Sequence, residues 1–225
     1  MKAYEKEIKR YLALNPLAED RGVVILGGEE DKEIPVCELK QSFALDVPVY
    51  NRSAPGLTVA AAAEFYDACA AALPAESILL HIGAADVGRF EKEPSDFDHD
   101  YRALIRHIRG RDKRCRILVI SLKNPENNPI ISEMNQHLQY LAESERCQFG
   151  NITEKRVWNP QETRDVIAFV RTMGFVHPVK TARSDQDLLK ILFHYDCESR
   201  EPAARKTETR NLKGGSMVLP NPAAV

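Results

Sequence analysis

The chain has 225 residues, with 31 Lys and Arg against 33 Asp and Glu for a formal net charge of -2, and is 44% hydrophobic and 28% charged. That makeup fits a folded globular protein and excludes a disordered chain. Without an excess of basic charge, neither nucleic acid nor an anionic membrane is expected as a partner. A single domain with a tail is the expectation for this length, and its core needs no disulfide or metal staples.

The stretch from Tyr4 to Leu12 reads as a helix, and residues 1–19 are taken as an N-terminal helical segment ahead of a domain over 20–198. Short runs rich in branched residues follow: Val23 to Leu26, Val47 to Tyr50, Ser77 to Ile82, Arg116 to Ser121 and a weaker Gln148 to Ile152. They alternate with segments of helical period, the pattern of a parallel sheet covered by helices. Val59, Ala63, Tyr66, Ala70 and Leu73 form one apolar stripe, closed by Pro74. Phe97, Tyr101, Leu104, Ile105 and Ile108 form a second stripe. Ile131, Met134, Leu138 and Leu141 form a third, entered through Asn128 and Pro129. A further helix is expected over Gln161 to Met173, and a last one, capped by Ser184, carries Leu188, Leu189, Leu192 and Tyr195. From Ser199 onward few large apolar residues remain, so residues 199–225 read as a flexible tail.

Cys37, Cys69, Cys115, Cys147 and Cys197 are odd in number and widely spaced, and read as buried free thiols in a reducing compartment. No apolar run approaches the roughly 20 residues that span a bilayer. Met1 to Arg10 lacks the apolar core of a signal peptide, so a cytoplasmic protein is expected.

In an open parallel sheet, ligands bind beyond the carboxyl ends of the strands. The loops there read Gly27-Gly28-Glu29-Glu30-Asp31, then Asn51-Arg52-Ser53-Ala54-Pro55-Gly56-Leu57-Thr58, then Gly83-Ala84-Ala85-Asp86, with Gly174-Phe175-Val176-His177-Pro178 ahead of the last helix. In this order and spacing, over about residues 20 to 196, they resemble the SGNH (GDSL-type) hydrolase family of esterases and acetylhydrolases. Asn51, Arg52, Gly56 and Thr58 match that family's second block, Gly83 and Asp86 its third, and His177-Pro178 its fifth. The resemblance implies a three-layer α/β/α sandwich around a five-stranded parallel sheet.

The departures bear on activity. Glu29 stands where the family has its nucleophilic serine, and Gly28 where it has the preceding aspartate. Ala85 replaces the asparagine that donates to the oxyanion, and Gly174 the aspartate that orients the histidine. Acyl transfer through serine needs a nucleophile, a base, a group that fixes the base, and oxyanion donors. Losing one oxyanion donor alone costs about 3–4 kcal/mol of transition-state stabilisation. An acid at position 29 further opposes the negative charge that must develop.

The leading expectation is therefore a catalytically degenerate relative, binding a small molecule or a protein partner through a remnant cleft of Gly28, Glu29, Arg52, Gly56, Gly83, Ala85, Asp86 and His177. The rival is a divergent esterase or deacetylase rebuilt around Glu29, Asp86 and His177. A third reading is an interaction module whose cleft is filled. Each residue also has a bland alternative. Glu29 can be a solvated loop carboxylate, His177 a structural residue before proline, and Asp86 an acceptor for backbone donors in its own turn. His81, within the third strand, reads as packed or bonded to backbone. Arg52 either pairs with Glu29 or Glu30 at the mouth of the cleft or lies in water at a helix entrance. Glu29, Glu30, Asp31 and Asp86 invite a Mg2+ or amine reading, and Gly27-Gly28 a phosphate-binding one, which the neighbouring carboxylates oppose. Neither a metal nor a cofactor is expected.

Overall fold

The computed structural model describes residues 1–19, 21–43, 45, 47–152, 158, 160–173 and 185–193. Gly174, His177, Ser184, Tyr195, Cys197 and the tail lie outside the described residues. Chain contacts divide the molecule into a unit Met1–Tyr195, which includes the N-terminal helix, and a unit Asp196–Val225.

Five strands, β1 (Gly22–Gly27), β2 (Val49–Asn51), β3 (Ala75–His81), β4 (Arg116–Ile120) and β5 (Gln148–Gly150), form one sheet in the order β2-β1-β3-β4-β5. Every pairing is parallel. Because side chains alternate across a strand, each run of apolar residues feeds two cores. Val24 and Leu26 of β1, with Ile78 and Leu80 of β3, join one; Val23, Ile25 and Leu79 join the other. Continuous burial along β1 is what a strand covered on both faces requires.

On the first face lie α1 (Glu5–Leu14), α3 (Val59–Cys69), the short α4 (Val87–Phe90), α5 (Pro94–Arg111) and α6 (Pro129–Ser144). On the second lie α2 (Val36–Phe43), α7 (Pro160–Met173) and α8 (Asp185–Phe193). The α5 stripe is buried at Phe97, Tyr101, Leu104, Ile105 and Ile108, as its spacing predicts. Asn128 caps α6, its side chain accepting from Ile130 N–H at 2.9 Å, with Pro129 in the first turn.

Three expectations change. The first stripe implied a helix running to Leu73, but α3 ends at Cys69, and its buried face is Val59, Ala62, Phe65, Tyr66 and Cys69. Both Ala70 and Ala71 donate to the Tyr66 carbonyl, unwinding the helix four residues before Pro74. Alanine-rich Val59 to Ala63 fits two helical registers, and the aromatic Phe65 selects between them. The sequence reading also passed over α2, which buries Leu39 and Phe43. Finally, Cys37 on α2 is exposed, whereas Cys69 and Cys115 are buried as expected and Cys147 is intermediate.

The hydroxyl of Tyr101, a fully buried residue, has no hydrogen-bond partner among the described residues, and burial pushes its ionisation far up. A buried unsatisfied hydroxyl costs about 1–3 kcal/mol. Tyr101→Phe is therefore expected to raise stability, by about 1 kcal/mol, in urea denaturation. A loss of similar size would show that the hydroxyl is bonded.

Candidate functional site

The chain leaves β1 outward to β2 and returns to β3 on the other side of β1, so the topological switch lies between the carboxyl ends of β1 and β3. A cavity of about 500 Å³ opens there, within the range of small-molecule sites. Gly28, Glu29 and Glu30 wall it after β1, Ala84 and Val87 after β3, and Leu122 to Glu126 after β4, with His81 and Asp31 among its lining residues.

Asp31 organises this crest. The residues after β1 turn tightly in a 3-10 helix over Glu30–Glu33, folding Asp31 back over the strand end. Its Oδ2 accepts the Gly28 N–H at 2.8 Å, and its Oδ1 stands 2.7 Å from Nδ1 of His81, the last residue of β3. A carboxylate oxygen accepts, so the hydrogen belongs to Nδ1. A Cβ on Gly27 would come within 1.9 Å of Asp31 Oδ2, so only glycine leaves room for the fold-back. Asn51, ending β2, donates to the Asp31 carbonyl and accepts the Ser53 N–H at 3.1 Å, tying the second loop to the first.

The pair is buried, His81 at 6% and Asp31 at 1% exposure. Burial opposes the imidazolium, but the charge and hydrogen bond of Asp31, helped by Glu30, outweigh it and hold His81 above its ordinary pKa. The Ser121 carbonyl also favours the charged ring, although Nε2 has no partner of hydrogen-bond geometry among the described residues.

The wall after β4 is set by asparagines. Asn124 donates to the Asn128 carbonyl and the Ser132 hydroxyl, both at 2.9 Å, and accepts the Asn128 N–H at 2.7 Å. Asn135 on α6 accepts the Leu122 N–H at 2.6 Å and donates to its carbonyl at 2.9 Å. With Asp31 and Asn124 buried and bonded within the protein, the walls after β1 and β4 are set without a ligand.

The structure separates the expected site residues. Gly28 and the exposed Glu29 line the cavity. Asp86 turns away: it is buried, and its Oδ2 accepts Val59 N–H at 2.9 Å at the start of α3. Burial raises its pKa and the Val59 bond partly offsets this. Its acceptor role is thus toward a neighbouring helix and not within its own turn, and Glu29 and Asp86 do not meet in this cavity. Gly83 is buried at φ 134°, open to glycine alone, which lets β3 turn into the Ala84–Asp86 3-10 helix beneath the exposed Ala85. Gly56, at φ 64°, is exposed and accepts the Tyr4 hydroxyl at 3.0 Å. His177 lies outside the described residues.

Arg52 corrects both of its expected placements. It is neither paired with Glu29 or Glu30 nor in water, but buried beside α1, where it donates to Asn15 Oδ1 at 2.8 Å. Its direction follows from Tyr11 and Tyr50, whose rings its guanidinium covers. His81 is packed as expected, its ring 5.3 Å from that of Phe193 between centroids, and its Nδ1 has a side-chain carboxylate as partner besides. Among the described residues no group of three His, Cys, Asp or Glu is placed to hold a metal ion. Asp31 is turned to Gly28 and His81, and Asp86 to Val59, which leaves Glu29 and Glu30 of that acidic set on the cavity wall.

A His whose folded pKa is raised contributes stability that is full below its unfolded value of about 6.5 and is lost as pH rises through the folded value. The denaturation midpoint of the wild-type chain is therefore expected to fall, relative to an Asp31→Asn/His81→Gln double variant, as pH rises above about 6.5. Parallel pH profiles would mean that the pair carries no linked proton.

No protein-family model and no curated protein sequence matches the chain. Solved structures do. A Streptococcus pneumonia protein named for platelet activating factor is 17% identical with a TM-score of 0.58, over 76% of this chain and 92% of that one. The esterase EstA from Pseudoalteromonas sp. is 16% identical at 0.52, over 68% and 98%. A GDSL-like lipase from Bacteroides thetaiotaomicron is 14% identical at 0.52, over 75% and 96%. The chain thus has the α/β fold of the SGNH hydrolases, a five-stranded parallel sheet between helical layers, as the loop motifs implied.

Proposed function

We propose that the chain is a non-hydrolytic protein on the SGNH hydrolase fold, which holds a small ligand in the cavity between the ends of β1 and β3. The observation that carries this reading is the use made of the loop after β1. Glu29 follows the strand where a hydrolase of this type needs a hydroxyl, and Asp31 consumes the Gly28 N–H beside it. Serine chemistry needs an attacking oxygen and free donors aimed at the developing oxyanion, and this loop supplies carboxylates instead. His81 supports the reading, because its Nδ1 is tied to Asp31 and its ring is buried.

The ligand's chemistry follows from the walls. Glu29, Glu30 and Glu126 face the cavity with one lysine, Lys123, above apolar surface from Val87, Leu122 and Ile131. A small molecule bearing amine or hydroxyl donors suits such a site better than an anion, since carboxylates repel negative charge.

Two measurements test this. Hydrolysis of 4-nitrophenyl acetate is expected at the buffer rate; turnover that disappears in Glu29→Gln would overturn the reading in favour of a rebuilt esterase. Titration with 1,4-diaminobutane is expected to shift the methyl resonances of Ala84 and Val87, and a Glu29→Gln/Glu30→Gln variant to weaken that binding about tenfold. Unmoved methyl resonances with both 1,4-diaminobutane and glycerol would rule out the cavity as the binding site.

A further inference from the structure

Along the free edge of β2, between α1 and α2, lies a second cavity of about 410 Å³. Its inner wall is Arg52, 4% exposed. The guanidinium donates through Nη1 to the Asn51 carbonyl at 3.0 Å and through Nη2 to Asn15 Oδ1 at 2.8 Å, while Nε has no partner among the described residues. It lies 5.0 Å from the ring centroid of Tyr11 and 5.7 Å from that of Tyr50. None of the described carboxylates forms an ion pair with it, and burial lowers its pKa. A buried cation is costly unless an anion or a full set of acceptors meets it, and here only neutral oxygens and ring faces do.

The rest of the lining has the same sign. Arg10, Lys32 and Lys40 face the cavity against one carboxylate, Glu19, which stands 3.8 Å from Lys40 Nζ. In a chain of net charge -2 this excess is a local arrangement and not a result of composition. The mouth is apolar: Leu14 and Leu17 line it at 42% and 77% exposure.

We propose that this cavity binds a small amphipathic oxyanion, its carboxylate or phosphate head meeting Arg52 and its apolar body lying on Leu14 and Leu17. Arginine suits the head because its planar fork meets two oxygens at once. The site is separate from the cavity at the β1 and β3 ends, and does not depend on what that cavity does.

Cys37, exposed on α2, lines the cavity and reports on it. The experiment titrates the full chain with hexyl phosphate, hexanoate and inorganic phosphate by calorimetry, and follows alkylation of Cys37 by iodoacetamide with peptide mapping. Hexyl phosphate or hexanoate is expected to bind with one-to-one stoichiometry and slow Cys37 alkylation several-fold, with whichever head binds more tightly naming the oxyanion. Inorganic phosphate, lacking the apolar body, is expected to bind more weakly than hexyl phosphate. Because Arg52→Gln removes buried hydrogen bonds on which the fold draws, the rim variant Arg10→Gln/Lys32→Gln carries the test: it should melt as the wild type does without ligand and bind about fivefold more weakly. Absence of binding by hexyl phosphate and hexanoate at about 10 mM would overturn the proposal. So would binding that leaves Cys37 alkylation and the rim variant's affinity unchanged.

Discussion

A carboxylate bent back over the end of a strand holds the crest of this sheet together. Asp31 meets the first free amide beyond β1 with one oxygen and the terminal histidine of β3 with the other. The two strands that flank the topological switch are thereby joined by side chains where their own ladder ends. The arrangement demands glycine at position 27, because any Cβ would occupy the space of the carboxylate. It demands a buried histidine as well, because a buried carboxylate without donors is costly. Fixing the loop in this way commits its backbone. The Gly28 amide points to Asp31, and Glu29 and Glu30 are left facing the cavity.

The residues that make the crest rigid also fix which groups its loop presents. Here a donor is satisfied internally and the side chains presented are acids. Asp31 thus satisfies the loop after β1 from within the protein. The asparagines behind the third wall act in the same direction, since Asn124 and Asn135 satisfy the loop after β4 without help from a ligand.

Much of the architecture was legible in the residues. Branched runs located all five strands, because a strand buried on both faces needs apolar residues at consecutive positions, as in Val23 to Leu26. The α5 stripe was legible because large side chains from Phe97 to Ile108 leave one helical register. The end of α3 was not, since small alanines constrain register weakly and the stop comes from a carbonyl shared by two amides. The Asp31–His81 pair was hidden for a different reason. Its members are 50 residues apart, and Asp31 sits in a run of acids that reads as solvated. The available signal was a histidine at the carboxyl end of a buried strand, a position that requires a polar partner from a neighbouring loop.

Arg52 shows how far a strand's pleat can divide a motif. Asn51 and Arg52 are consecutive in the block that carries the family resemblance, and consecutive side chains at a strand end leave in opposite directions. Asn51 goes to the Asp31 carbonyl and serves the crest; Arg52 goes to Tyr11 of α1 and to Asn15, which caps its end. Its destination therefore depends on the first helix, which lies outside every motif of the resemblance. Two cavities of opposite charge result, one bordered by Glu29, Glu30 and Glu126 and one by Arg10, Lys32, Lys40 and Arg52. Since each repels the ions that suit the other, a single β-strand step sorts the chemistry that can approach either side of β2.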